Sequence, residues 1–162
     1  MASLTLPNQT SGARKWSVLI NTGTLSSQVW TAVDGIVDCN PNLFAANIES
    51  AGIYNDNGRA SSTKTGFDAW KCELKLVRRY VAATGAYDVG QEKLRTHAYA
   101  VGPSGVAVVQ IVDRDGGDEA YQGYCEVSWG PDGGKSTDLE GVKVTLYGQG
   151  DPELIVNPLA GS

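Results

Sequence analysis

Histidine, methionine and phenylalanine are nearly missing from this chain of 162 residues, with 1, 1 and 2 copies, and cysteine occurs 3 times. A lone histidine, His97, supplies neither a metal cluster nor the partnered base that nucleophilic catalysis needs. An odd cysteine count gives no disulfide framework. Cys72 and Cys125 sit in strand-like runs with apolar neighbours two residues away, which suits buried, reduced thiols. No apolar run approaches the length of a membrane span. The opening residues, MASLTLPNQTSGARK, show no basic segment followed by an apolar one, so no secretory leader is expected. Cations are scarce in the last part of the chain. Residues 101–162 hold 3 basic and 10 acidic residues against 10 and 8 in residues 1–100, so −7 and +2 make up the net −5. That asymmetry argues against groove-type nucleic-acid binding, which neutralises phosphates with Lys and Arg.

What is present is glycine, at 20 residues, and alternation. Short alternating runs separated by glycine-rich turns predict an all-β domain, a mainly antiparallel sandwich or barrel. Strands are expected at 14–20, 29–33, 36–38, 106–112, 121–129 and 139–147, with Asn40-Pro41-Asn42 as a breaker because proline donates nothing to a ladder. Residues 106–112 are apolar on both faces and read as a central strand. Residues 47–81 read as a long hairpin turning at Asn55-Asp56-Asn57-Gly58. Its second limb, 65–81, alternates for so long that a straight strand of about 56 Å would overhang a domain of this size. Such a strand either bends or projects, and a projecting edge calls for a covering partner. One helix is expected over 88–101, capped by Asp88 and ended by Gly102-Pro103, with Leu94, Ala98 and Val101 on one face and Gly90 as a weak position. Residues 1–13 read as a flexible arm, 14–148 as the folded domain and 149–162 as an extended tail.

The sharpest cluster of chemical groups is Asp113, Asp115, Asp118 and Glu119. Alternating carboxylates followed by glycines resemble a calcium loop, yet the EF-hand spacing and its flanking helices are missing. The plain reading is an acidic turn between strands. A further reading is an acidic loop that meets a basic partner, with Arg78 and Arg79 as candidates. No Gly-x-Ser-x-Gly elbow or phosphate loop occurs, and Gly148-Gln149-Gly150 opens no helix. Trp16, Trp30, Trp70 and Trp129 fall in strand patterns and read as core, with an aromatic carbohydrate platform as the alternative.

The order Asp113-Arg114-Asp115-Gly116-Gly117, Glu119-Ala120-Tyr121-Gln122-Gly123-Tyr124, Asp138-Leu139-Glu140 and Thr145-Leu146-Tyr147-Gly148-Gln149-Gly150 resembles the C-terminal half of major tail tube proteins of long-tailed, non-contractile phages. The resemblance extends over roughly residues 14–158. It implies a non-enzymatic, cofactor-free structural subunit of the virion tail, assembled in the host cytoplasm. Its partners would be further copies of itself in stacked hexameric rings, and the tape measure, tail tip and terminator proteins. DNA would pass through the lumen without specific binding, and no membrane is involved. The inter-ring and inter-subunit contacts are expected at Asn55, Asp56, Asn57, Arg59, Arg78, Arg79, Asp113, Asp115, Asp118 and Glu119, with the hairpin and both termini joining rings. Other classes fit the residues too: a monomeric β-sandwich that binds a ligand or carbohydrate, a small hydrolase using the acidic loop, and a tail terminator.

Overall fold

The computed structural model describes residues 16–52, 60–135 and 139–160. They form β1 (Trp16–Asn21), β2 (Trp30–Ala32), β3 (Ile36–Asn42), β4 (Ala46–Gly52), β5 (Ala60–Phe67), β6 (Lys71–Val77), α1 (Val89–Tyr99), a short 3-10 turn (Gly102–Gly105), β7 (Val106–Asp113), β8 (Ala120–Pro131) and β9 (Gly141–Leu154). Seven strands make one antiparallel sheet in the order β2-β1-β7-β8-β9-β6-β3, and β4 pairs with β5 in a separate ribbon. Three strands lie between β1 and β6, which would put them about 19 Å apart in a flat sheet. Val18 and Ile20 of β1 nevertheless share one core with Cys72, Leu74 and Leu76 of β6. The sheet is therefore curled, and its concave side supplies both walls of the core. This is the expected mainly antiparallel β class with one helix.

Alternation decides the faces. On β8, Tyr121, Cys125, Val127 and Trp129 point into the main core, as the sequence pattern predicts. β7 is buried on both sides. Ala107, Val109 and Ile111 join the main core, while Val112 packs outside with Leu19, Ala120, Trp30, Ile155 and Leu159.

Three expectations change. β3 runs through Pro41, which pairs opposite Cys72. It is the last strand of its sheet, and an edge strand tolerates a residue with no N–H. The run 65–81 is two strands, because Asp68–Trp70 leaves the ribbon and re-enters the main sheet as β6. Val101 is exposed, and the buried residues of α1 are Gly90, Gln91 and Leu94. Gly90 is a contact point: a Cβ there would come within 2.6 Å of the Ala32 carbonyl oxygen and 2.8 Å of the Val33 Cα.

Two devices lock this architecture. At the first, Asp88 caps α1 by accepting from the Gln91 N–H at 3.1 Å and also accepts the Asp34 N–H at 3.2 Å. Gln91 is fully buried; its Nε2 donates to the carbonyls of Asp34 (2.7 Å) and Val77 (2.9 Å), and its Oε1 accepts from the Arg79 N–H (3.2 Å). One amide thus satisfies three backbone groups that would each cost about 1–3 kcal/mol if buried unpaired.

The second is Trp70, 2% exposed at the entry to β6. A Cβ on Gly148 would overlap its indole Cδ1, Cδ2 and Cε2, and one on Gly123 would meet Cζ2 at 2.8 Å. The Gly148 N–H donates to the Trp70 carbonyl at 2.7 Å. The Gly148→Ala variant should therefore lose about 1–3 kcal/mol by overpacking. Trp70→Ala alone should lose about 3–5 kcal/mol. The double variant should lose clearly less than the sum, since the two residues touch. Guanidinium unfolding of all three against wild type checks this, and additive losses would break the assignment.

Candidate functional site

The β4–β5 ribbon hydrogen-bonds to no other strand among the described residues. It is fixed at its base by the Asp68 N–H, which donates to the Ala45 carbonyl at 2.8 Å, and by Phe44, edge-on to Phe67 (5.7 Å) and to Tyr121 (5.2 Å). Ile48 (59%) and Phe67 (47%) are exposed on it, and Lys64 Nζ stands 4.1 Å over the Phe67 ring. The predicted contact residues Asn55, Asp56, Asn57 and Arg59 lie outside the described residues, as do residues 1–15.

A second surface is the outward side of β3, β6, β9 and β8. Register aligns its side chains in rows. Asn42, Lys71, Tyr147 and Glu126 form one, Asn40, Glu73, Thr145 and Ser128 the next, and Asp38, Lys75 and Lys143 the third. Three lysines thus face three carboxylates, and Lys71 pairs with Glu73 at 3.1 Å. On β6 and β9 these positions alternate with core residues, so the face is polar apart from the Tyr147 ring while its reverse is apolar.

The acidic turn follows β7. Asp113 Oδ1 accepts the Asp115 N–H at 2.9 Å, and Asn157 Nδ2 donates to the carbonyls of Asp113 (2.9 Å) and Gly117 (2.7 Å). The C-terminal segment therefore holds the turn. Asp115, Asp118 and Glu119 are exposed and Asp113 is half-buried. Among the described residues no three His, Cys, Asp or Glu side chains come together as an ion site.

The two arginines differ. The side chain of Arg78 is only 7% exposed and bonds Glu92 at 2.5 Å, with its guanidinium over the rings of Tyr87 (4.0 Å) and Trp129 (5.2 Å). Arg95, together with Arg78, holds the Glu92 carboxyl below its ordinary range. Arg79 is exposed, 3.7 Å from Asp34. It shares a hollow with Arg114 and Trp16 in the seam between β1–β2 and β3–β6.

All three cysteines are free. The neighbouring Cys39 and burial push the Cys72 thiol far up, and burial pushes Cys125 up to about 12, so neither is a nucleophile. Trp16, Trp30, Trp70 and Trp129 are all buried or half-buried in the two cores.

An apolar cleft of about 410 Å³ lies between the β1–β2 turn, α1 and β7–β8, lined by Leu25, His97, Pro103, Val106, Val108 and Tyr124 among others. Its turn wall is preformed: Asn21 Oδ1 accepts the N–H groups of Gly23 and Val29, both at 3.0 Å. His97 Nδ1 donates to the Ser104 carbonyl at 2.9 Å.

No protein-family model and no curated sequence matches the chain. Solved structures do. The tail of an empty gene transfer agent particle, refined with helical C6 symmetry, superposes with a TM-score of 0.62 at 13% identity, covering 85% of this chain and 95% of that one. The SPP1 tail tube gives 0.55 at 12%, covering 90% and 80%. A sheath/tube terminator of the extracellular contractile injection system PVC gives 0.55 at 9%, covering 88% and 94%. This chain has the tail tube fold.

Within that fold the sequence motifs acquire reasons. Tyr-Gln-Gly-Tyr and Tyr-Gly-Gln-Gly each carry one of the glycines under Trp70. Sequence reading missed the cleft, the Gln91 lock and the rows of the polar face. Only the alternation of Lys71, Glu73 and Lys75 signalled the last of these. His97 offers a test of the local packing. Burial lowers its pKa below the ordinary 6.5, so the unfolded chain takes up a proton that the folded chain resists. Stability should be full above pH 6.5 and fall as the pH drops through the folded value. His97→Gln should flatten the slope of unfolding free energy between about pH 7 and 5, measured by denaturant titration.

Proposed function

We propose that this chain is a non-catalytic structural subunit of a tail tube: six copies close into a ring, rings stack head to tail, and DNA passes through the bore. The observation that supports the reading is the tail tube fold combined with a four-strand face of polar rows, β3-β6-β9-β8, and we assign that face to the bore. Three lysines opposed by three carboxylates present no net cationic track, so phosphates slide past without the counterion release that drives binding. The edges of the curled sheet, β2 and β3, meet those of neighbouring copies, which removes the unpaired edges of the free subunit. The exposed ribbon joins one ring to the next, and Arg79, Asp113, Asp115, Asp118 and Glu119 contribute polar contacts at the two ends. The particle is the virion tail, and the partners are further copies and other tail proteins.

A terminator shares the fold, as the contractile injection system match shows, so a ring that caps the tube is the second reading. The packed tryptophans speak against a carbohydrate platform. Negative-stain microscopy over a concentration series, with and without tail tips, tests the reading. Hollow stacked six-fold tubes are expected. Single rings that never stack would favour the terminator, and monomers under every condition would overturn both.

A further inference from the structure

The curled sheet stops short of closing on itself, and its open side is a seam. β2 and the start of β1 stand on one side, and the edge strand β3 on the other. Trp16 lines two hollows along this seam. One, of about 720 Å³, includes Ser17, Ile36 and Val37. The other, of about 300 Å³, includes Pro41 and Phe44. Trp16 thus stands across from β3 near both ends of that strand. The core is thin here: Trp16, Ile36, Cys39 and Tyr121 pack against it yet stay half-buried, and Val37 is 66% exposed. β3 is also the last strand of its sheet, so its outer edge is unpaired among the described residues. An unpaired strand edge beside a half-covered apolar floor fits one extended, alternating segment, with its backbone along the edge and its apolar side chains on the floor.

We propose that in the free subunit this seam is covered by the chain's own Ser3-Leu4-Thr5-Leu6, with Leu4 and Leu6 seated on Trp16, Ile36 and Cys39. The four residues alternate, so in an extended conformation the leucines share one face and the hydroxyls the other. Residues 1–15 lie outside the described residues, and they join the fold at Trp16, which is itself a wall of the seam. Residues 7–15 connect Leu6 to Trp16 and contain Pro7, Asn8 and Gly12, which suit a turn. Extended, those nine residues reach about 30 Å, against about 23 Å for the length of β3, so every point of the seam is within range. The consequence rests on the tube reading. The β3 edge is the one assigned to the neighbouring copy, so the segment and the neighbour compete for it, and the free subunit is held back from ring closure.

The test reads the monomer first. With a benzophenone amino acid replacing Leu6 in the full chain, below any concentration at which copies associate, crosslinks are expected within one chain to residues 36–42. Cys39 is a second reporter, because Cys72 and Cys125 are fully buried. In the full chain, Leu4→Asp combined with Leu6→Asp should speed maleimide labelling of Cys39 about tenfold and lower the concentration needed for ring closure about tenfold. Crosslinks that map elsewhere or only to a second copy, or Cys39 labelling that the substitutions leave unchanged, overturn the seam contact. Faster labelling with an unchanged or raised assembly concentration overturns the competition alone. A chain that forms neither rings nor tubes even with tail tips overturns the tube reading, while the crosslinks and the labelling still decide the seam.

Discussion

Trp70 is the contact on which the curl of the sheet depends. Its indole lies flat against two strands, and both give it room by having no side chain at Gly123 and Gly148. The backbone at Trp70 also accepts from Gly148, so the same residue sets where the chain leaves the ribbon and enters β6. The contact adds to a register of β6 against β9 that alternation already sets, since a one-residue slip would turn Lys71, Glu73 and Lys75 inward and Cys72, Leu74 and Leu76 outward. The polar face and the apolar core are two sides of that one register.

At the other end of β6, the helix performs the complementary task. Gln91 and Asp88 join the β2–β3 link, the end of β6 and the start of α1 through five hydrogen bonds. Gly90 lets the helix backbone come close enough for these bonds to form. Arg78, paired with Glu92 beneath two aromatic rings, extends the same joint. Its charge is used inside the subunit, which leaves Arg79 as the exposed cation of the pair.

The chain is locked where its sheet is curled and exposed at the ribbon and the sheet edges. The ribbon contributes nothing to the main core among the described residues; its Ile48 and Phe67 are exposed. The free sheet edges and the exposed ribbon are unfavourable to leave bare in water, and the proposed assembly would cover them. Assembly on this view uses surfaces the fold cannot cover by itself.

Much of this was legible in the order of residues, because alternation reports directly on which side of a strand faces the core. The faces of β8, the double burial of β7, the Asp88 cap and the packed tryptophans all follow from period and residue type. Other features depended on neighbours that sequence does not show. Pro41 is tolerated because β3 happens to be an edge, Gly90 is a contact point because β2 runs beneath it, and Val101 is exposed because α1 ends at Tyr99 and leaves Val101 extended, off the face that carries Leu94. The composition and spacing of the chain by themselves determined a glycine-rich antiparallel β protein with one capped helix. Only the tertiary structure decided the cleft, the rows of the polar face and the separate ribbon. These arise from residues distant in the chain meeting across strands, and local period carries no information about which strands become neighbours.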